Sequence, residues 1–248
     1  MINRERLVKT FCDLVQIDSP SGEEETVAIE LCHRLKKLGI DVIRDNYGNM
    51  IASLPGDNPI LLSAHMDTVE PGRSIEPVVD SDRISSNGDT IIGGDCKAGV
   101  AAILEAIESI LEDDMHHKGF EIAFTREEEI GLVGAQNLDF SKINSKEAIV
   151  FDGEGPVSQI TSASPTYISF DLQITGRAAH AGVEPEKGIS AVHLAAKIIT
   201  LLPQGRLDHE TTFNVGLIEG GSVRNTVPEN TTIRGEFRSR NLETLDEM

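Results

Sequence analysis

The 248-residue chain is long enough for one large domain or two modest ones, and its 39% apolar and 25% charged residues suffice for a buried core under a solvated surface. A formal net charge of −19 argues against nucleic-acid binding, because neutralising phosphates takes clustered Lys and Arg and none occur. No apolar run reaches the ~18 residues of a membrane span.

The cysteines, Cys12, Cys32 and Cys96, are scattered without a CxxC pair, which suits a reducing compartment and argues against a disulfide framework or a thiolate zinc site. The opening MINRERLVKTFCDLVQI carries charges throughout and lacks the apolar core and cleavage site of a signal peptide, so a cytoplasmic location is expected.

Leu7, Phe11, Leu14 and Val15 recur at helical spacing and predict an amphipathic helix over about residues 3–16. Ser21 and Glu24 have capping-box spacing, opening a helix that runs to about Leu38 with Gly39 at its stop. Two short strands around a turn at Asn46–Asn49 come next, then a strand over PILLSA. KAGVAAILEAIESILE is a strong helix, with Val100, Ile103, Leu104, Ile107 and Leu111 on one face. GFEIAFT reads as a strand, GLVGAQNL as a helix and KEAIVFD as a strand. Strands alternating with helices predict an α/β domain, its mostly parallel sheet flanked by helices.

After about residue 162 the pattern changes. TYISFDLQITG alternates with period two, GISAVHLAAKIITLL is helical up to Pro203, and TTFNVGLIEGG and TTIRGEFRSR are two further strands. This order predicts a smaller α+β open sandwich, giving domains 1–162 and 163–248. NLETLDEM begins a helix.

The polar residues fall at strand ends. His65 and Asp67 follow the strand ILLSA, Glu127, Glu128 and Glu129 follow GFEIAFT, Asp152 closes EAIVFD, and Asp95 precedes the helix starting near Lys97. In an open α/β sheet, ligands bind beyond the carboxyl ends of the strands, where all four clusters can meet. Each cluster alone has an ordinary explanation: a loop hydrogen bond, a helix cap, a solvated acidic face, a turn before glycine. Together they would need four coincidences at one sheet edge. One imidazole with several carboxylates is a donor set suited to zinc, manganese or cobalt.

SAHMDTV, GGDCKAGVAA, FTREEEIGLVGA and FDGEG, in this order and spacing, resemble the zinc aminopeptidases of the peptidase T type, within the wider family of dinuclear zinc carboxypeptidases, dipeptidases and deacylases. TGRAAHAGVEPEKGISAV and GGSVRNTVPE resemble that family's lid and dimerisation domain, so the likeness spans essentially the whole chain.

The resemblance implies two divalent metal ions, zinc ahead of manganese or cobalt. It makes His65, Asp95, Glu129 and Asp152 the ligands, with Asp95 bridging and Asp67 orienting His65. It makes Glu128 the general base for a metal-activated water and leaves Glu127 a bystander. The implied reaction is removal of the N-terminal residue from tripeptides and other short peptides; a related deacylase, amidohydrolase or carboxypeptidase-type activity, or a non-catalytic metal-binding dimerising fragment, are the alternatives. His180, Asn225 and Arg238 match positions that hold substrate, His180 reaching across a homodimer formed by the lid.

Two departures stand out. Cys96 occupies a position that is acidic or amide in the family, and no His follows Asn225, whereas the family supplies its last metal-ligand His there. The chain is therefore expected to be C-terminally truncated relative to the family, with a weakened second metal site and poor activity of its own.

Overall fold

The computed structural model describes residues 1–153 and 155–248. They form two compact units, Met1–Pro156 and Val157–Met248.

In the first unit the helices are α1 (Arg4–Val15), α2 (Glu25–Lys37), α3 (Gly94–Glu112) and the single turn α4 (Val133–Gln136). The strands are β1 (Val42–Arg44), β2 (Met50–Leu54), β3 (Ile60–His65), β4 (Pro77–Asp80), β5 (Arg83–Ser86), β6 (Phe120–Thr125) and β7 (Ala148–Val150). The main sheet has the order β1-β2-β6-β3-β7. β3 runs parallel to both β6 and β7, in a register that sets Leu62 beside Ile122 and Ile149. β2 runs antiparallel to β1 and β6.

The apolar stripes of the helices explain the packing. Leu14, Val15, Leu31, Leu35, Val100, Ile103, Leu104 and Ile107 join Met50, Leu62, Ile122 and Phe124 of the sheet in one buried cluster. Gly99 lets α3 come close to the end of β7, since a Cβ there would lie 2.3 Å from the Phe151 carbonyl oxygen.

Three local expectations change. The capping box does not form: Glu24 precedes α2 without a side-chain cap bond, because its carboxylate and the Ser21 hydroxyl are engaged with distant segments. The helix expected over GLVGAQNL shrinks to α4, since Gly131 and Leu132 have φ of 114° and 60° and no right-handed helix starts before Val133. The hairpin of β4 and β5 is an addition, built from two four-residue strands rich in Asp and Ser.

The second unit holds β8 (Thr166–Thr175), β9 (Ala179–His180), α5 (Ala191–Leu201), β10 (Gly205–Arg206), β11 (Thr212–Gly220), β12 (Thr226–Val227), β13 (Asn230–Ser239) and α6 (Leu242–Glu247). Its antiparallel sheet has the order β10-β11-β13-β8, and β9 pairs separately with β12. Ala191 and Ala195 seat α5 against Ile174 and Ile233, while Phe170, Phe213 and Phe237 cluster within the sheet.

Candidate metal centre

His65 is the last residue of β3, and its neighbours fix the chain beyond it. Met66 N–H donates to the Thr125 carbonyl at 2.8 Å and Thr68 N–H to the Ser19 carbonyl at 3.0 Å. Both His65 and Asp67 are buried. The imidazole Nδ1 lies 2.9 Å from the Asp67 carbonyl oxygen, with Asp67 Oδ1 at 3.3 Å. That leaves Nε2 facing outward, 2.9 Å from Asp95 Oδ1, 3.6 Å from Asp152 Oδ1 and 3.9 Å from Glu128 Oε2.

Asp67 is the anchor of the arrangement. Its carboxylate accepts from Ser21 Oγ at 2.7 Å and from the backbone N–H groups of Glu128 and Glu129 at 3.0 and 3.2 Å. Burial opposes its ionisation, yet the bonds from His65, Ser21 and those two amides hold its pKa down to about 2. Burial likewise works against the His65 imidazolium. The contacts with Asp67 and Asp95 and the charge of Asp152 override it and raise the pKa to about 9.

The outer carboxylates feel each other. Burial, then the hydrogen bond and charge of Asp95, push Asp152 up to about 6, and Glu129 is raised by burial and then by Asp95. Among the described residues, no Lys or Arg forms an ion pair with Asp67, Asp95, Glu128, Glu129 or Asp152. A surplus of converging oxygen donors around one imidazole, without a Lys or Arg, is an arrangement that a divalent ion relieves. Donor atoms of His65, Asp95, Cys96 and Asp152, and separately of His65, Glu128 and Glu129, lie within 4.8 Å of one another. The Cys96 thiol donates to the Phe151 carbonyl at 2.7 Å, and burial and Asp152 push its pKa up to about 12.

Several supporting residues escape sequence reasoning. The loop carrying Glu128 has Glu127 at φ 51°, in the left-handed region. Buried Glu24 accepts from Glu127 N–H at 3.0 Å and from Arg126 Nε at 2.9 Å, and the Tyr47 hydroxyl bonds the Glu127 carboxylate. Asn49 accepts from Arg126 N–H at 3.1 Å and donates to the Gly134 carbonyl at 3.0 Å. Glu127, expected to be a bystander, is therefore a tether of this loop. Lys97, fully buried, donates to the Ile17 carbonyl at 2.6 Å. Burial lowers its pKa to about 8 against the opposing charge of Asp18. No local signal in the sequence marks these residues, whose partners are distant in the chain.

His180, Asn225 and Arg238 belong to the second unit. His180 pairs with Thr226 across β9 and β12, and Ala181 N–H donates to the Asn225 carbonyl at 2.9 Å, so these two are neighbours. Arg238 lies on β13, bonded to Glu236 at 2.9 and 3.1 Å, its guanidinium 5.0 Å from the centre of the Tyr167 ring.

Residues 163–248 match the peptidase dimerisation domain family, and residues 49–171 match peptidase family M28. The chain is similar to the crystal structure of aminopeptidase PepT from Bacillus cereus, with 41% identity and a TM-score of 0.96 over 99% of this chain and 69% of that one. The chain belongs to the peptidase T-like metallopeptidases.

This hydrolase family also includes a tripeptidase from Staphylococcus aureus, whose structure shares 35% identity and a TM-score of 0.94 over 100% of this chain and 69% of its own. Peptidase T of Clostridium novyi is 27% identical over 91% of this chain and 67% of its own length. The chain thus spans about two thirds of the length of these peptidase T-like relatives. Among the described residues, no helix is long and apolar enough to cross a membrane.

Proposed function

We propose that the chain supplies the metal centre and substrate-holding domain of a peptidase that removes the N-terminal residue from tripeptides and other short peptides. The observation that carries this reading is the orientation of His65, held through Nδ1 by Asp67 while Nε2 faces Asp95, Asp152 and Glu128. Residues 1–162 act as the catalytic domain and 163–248 as the lid through which two copies pair.

His65, Asp95 and Asp152 would hold one divalent ion, and Asp95 and Glu129 would contribute to a second; zinc suits these donors best, ahead of manganese and cobalt. Such ions supply Lewis acidity to the scissile carbonyl and make water a better nucleophile at neutral pH. The remaining work belongs to the chain. Glu128 takes the proton from the attacking water and returns one to the leaving amine. Asp67 fixes the His65 tautomer and, through the Glu128 and Glu129 amides, the loop that bears the base. In the lid, His180 and Asn225 steady the peptide, and Arg238 grips a carboxylate.

Two isosteric variants test the assignment. In a version extended to the relatives' full length, Glu128→Gln should lose turnover of tripeptides by at least about a thousandfold while retaining its zinc, whereas Glu129→Gln should lose zinc. Swapped phenotypes would reassign the two glutamates. Turnover of acylated but not free-amine peptides would replace the aminopeptidase reading with a deacylase. Sedimentation at micromolar concentration should give a dimer, and a strictly monomeric species would remove the pairing role from residues 163–248.

A further inference from the structure

Helix α3 is irregular at its start. Asp95 (φ −83°, ψ 110°) and Cys96 (φ −112°, ψ 24°) have non-helical backbone, and regular helical geometry resumes at Lys97. Asp95 therefore stands on a stretch that the helix ladder does not fix. From the next turn the Lys97 side chain, fully buried, reaches the Ile17 carbonyl at 2.6 Å. We propose that Lys97 is a positioning residue of the metal centre, clamping the start of α3 to segment 17–21 and so setting Asp95 opposite His65. This rests on the metal-centre reading and deepens it.

Segment 17–21 is what steadies the other half of the centre. Ser19 Oγ donates to the Met66 carbonyl at 2.9 Å, and Thr68 N–H donates to the Ser19 carbonyl at 3.0 Å. Ser21 Oγ donates to Asp67 Oδ2 at 2.7 Å. These bonds hold residues 66–68, immediately after His65, in register with the segment. Asp67 in turn orients His65 through its own carbonyl, 2.9 Å from Nδ1. The contacts run from Lys97 through Ile17, Ser21 and Asp67 to His65, and they close on the 2.9 Å separation of His65 Nε2 from Asp95 Oδ1.

Packing does not account for an ammonium group here. Among the described residues the Ile17 carbonyl is its one hydrogen-bond acceptor, and Asp18 supplies an attracting charge without an ion pair. Taking a cation out of water on these terms is costly, and an aliphatic side chain of similar volume would fill the space with less penalty. The bond to segment 17–21 is what the charged residue adds.

Lys97→Met fills the same space without the bond. Calorimetric titration should show its zinc affinity weakened about tenfold, the lower range for groups that orient a ligating histidine. The metal-free variant should melt no lower than the native chain, because a buried charge has been removed. Since Lys97 and Ser21 act through one segment, Lys97→Met combined with Ser21→Ala should lose about tenfold in all, not the about hundredfold of independent changes. An unchanged affinity in Lys97→Met, a loss of affinity that comes with a lower melting point, or losses that multiply in the double variant would each overturn the proposal.

Failure of the native chain to bind zinc, manganese or cobalt would count against the metal-centre reading instead. The clamp is then tested without metal, by amide hydrogen exchange. Thr68 N–H, which donates to the Ser19 carbonyl, should exchange at least about ten times faster in Lys97→Met while the amides of β3 keep their protection. Equal protection of Thr68 in the two proteins would overturn the clamp.

Discussion

Ser21 Oγ donates to Asp67 Oδ2 across 2.7 Å, although the two residues stand 46 positions apart in the chain. The contact is part of a short alignment of two segments. Pro20 bridges Thr68, the Ser19 hydroxyl donates to the Met66 carbonyl at 2.9 Å, and Thr68 N–H donates to the Ser19 carbonyl. A turn that reads locally as the approach to a helix is thus a wall of the metal centre.

Removing that hydroxyl should loosen Asp67 and, through it, His65. Groups that orient a ligating histidine commonly change metal affinity by about 10–100-fold, so Ser21→Ala is expected to weaken zinc binding by about tenfold. Ser21→Thr should restore most of it. Calorimetric titration measures both, and an unchanged affinity in Ser21→Ala would mean that the Glu128 and Glu129 amides hold Asp67 alone.

Loading the centre should also release protons. With a pKa raised to about 9, His65 is protonated at pH 7.5, and a cation must displace that proton to reach Nε2. About one proton per chain is expected at pH 7.5, with apparent affinity rising roughly tenfold per pH unit until pH passes 9. Below pH 6 the proton on Asp152 adds a second. Titrations in buffers of different ionisation enthalpy count the protons, and a count of zero at pH 7.5 would place His65 outside the ligand set.

Away from the centre, Arg6 of α1 grips buried Glu105 of α3 through bonds of 2.6 and 2.9 Å, and Asn3 N–H and Ser109 Oγ donate to the same carboxylate. Burial alone would push this acid upward, but these bonds hold its pKa to about 2, against an ordinary 4.5. Because the folded value is the lower one, the stabilisation is complete above about pH 5 and disappears as pH falls toward 2. Glu105→Gln should cost about 3 kcal/mol at pH 7 and flatten the acid limb of stability against pH. Urea unfolding at pH 7, 4 and 3 would reveal it, and parallel curves for the two proteins would refute it.

Gly99 offers a test of spacing. A methyl group there would press on the Phe151 carbonyl at 2.3 Å and on Cys96 Sγ at 2.9 Å, so α3 must retreat from the end of β7. Gly99→Ala is expected to lower stability by about 1–3 kcal/mol and to weaken metal binding by separating Asp95 from Asp152. Thermal melts with and without zinc separate the two effects, and a variant with native melting and native affinity would show that the helix has slack.

The sequence carried the sheet and the edge where its polar residues gather, because long apolar runs of β3 and β6 and the stripe of α3 each leave a periodic signal. The hairpin of β4 and β5 was not legible, since VVDSDRIS offers too few apolar residues to outweigh its turn formers. Ser21 and Glu24 misled for a different reason: capping spacing is local, while the bonds that claim these side chains come from Asp67, Arg126 and Glu127. Glu127 looked idle because its partners lie 80 and 103 residues away. Tertiary hydrogen bonds of this kind leave no trace in a single sequence, since any short polar residue could make them.

The bond from Lys97 to the Ile17 carbonyl has a consequence for how the protein is made. Ile17 leaves the ribosome 80 residues before the ammonium group it will receive. Until α3 emerges, β3 presents an imidazole with neither Asp95 nor Asp152 beside it, and the segment around Ile17 has nothing to seal. The metal edge is therefore assembled only after Asp152 has emerged. A nascent chain stalled before Lys97 would expose the apolar backs of α1 and α2 to chaperones rather than to zinc.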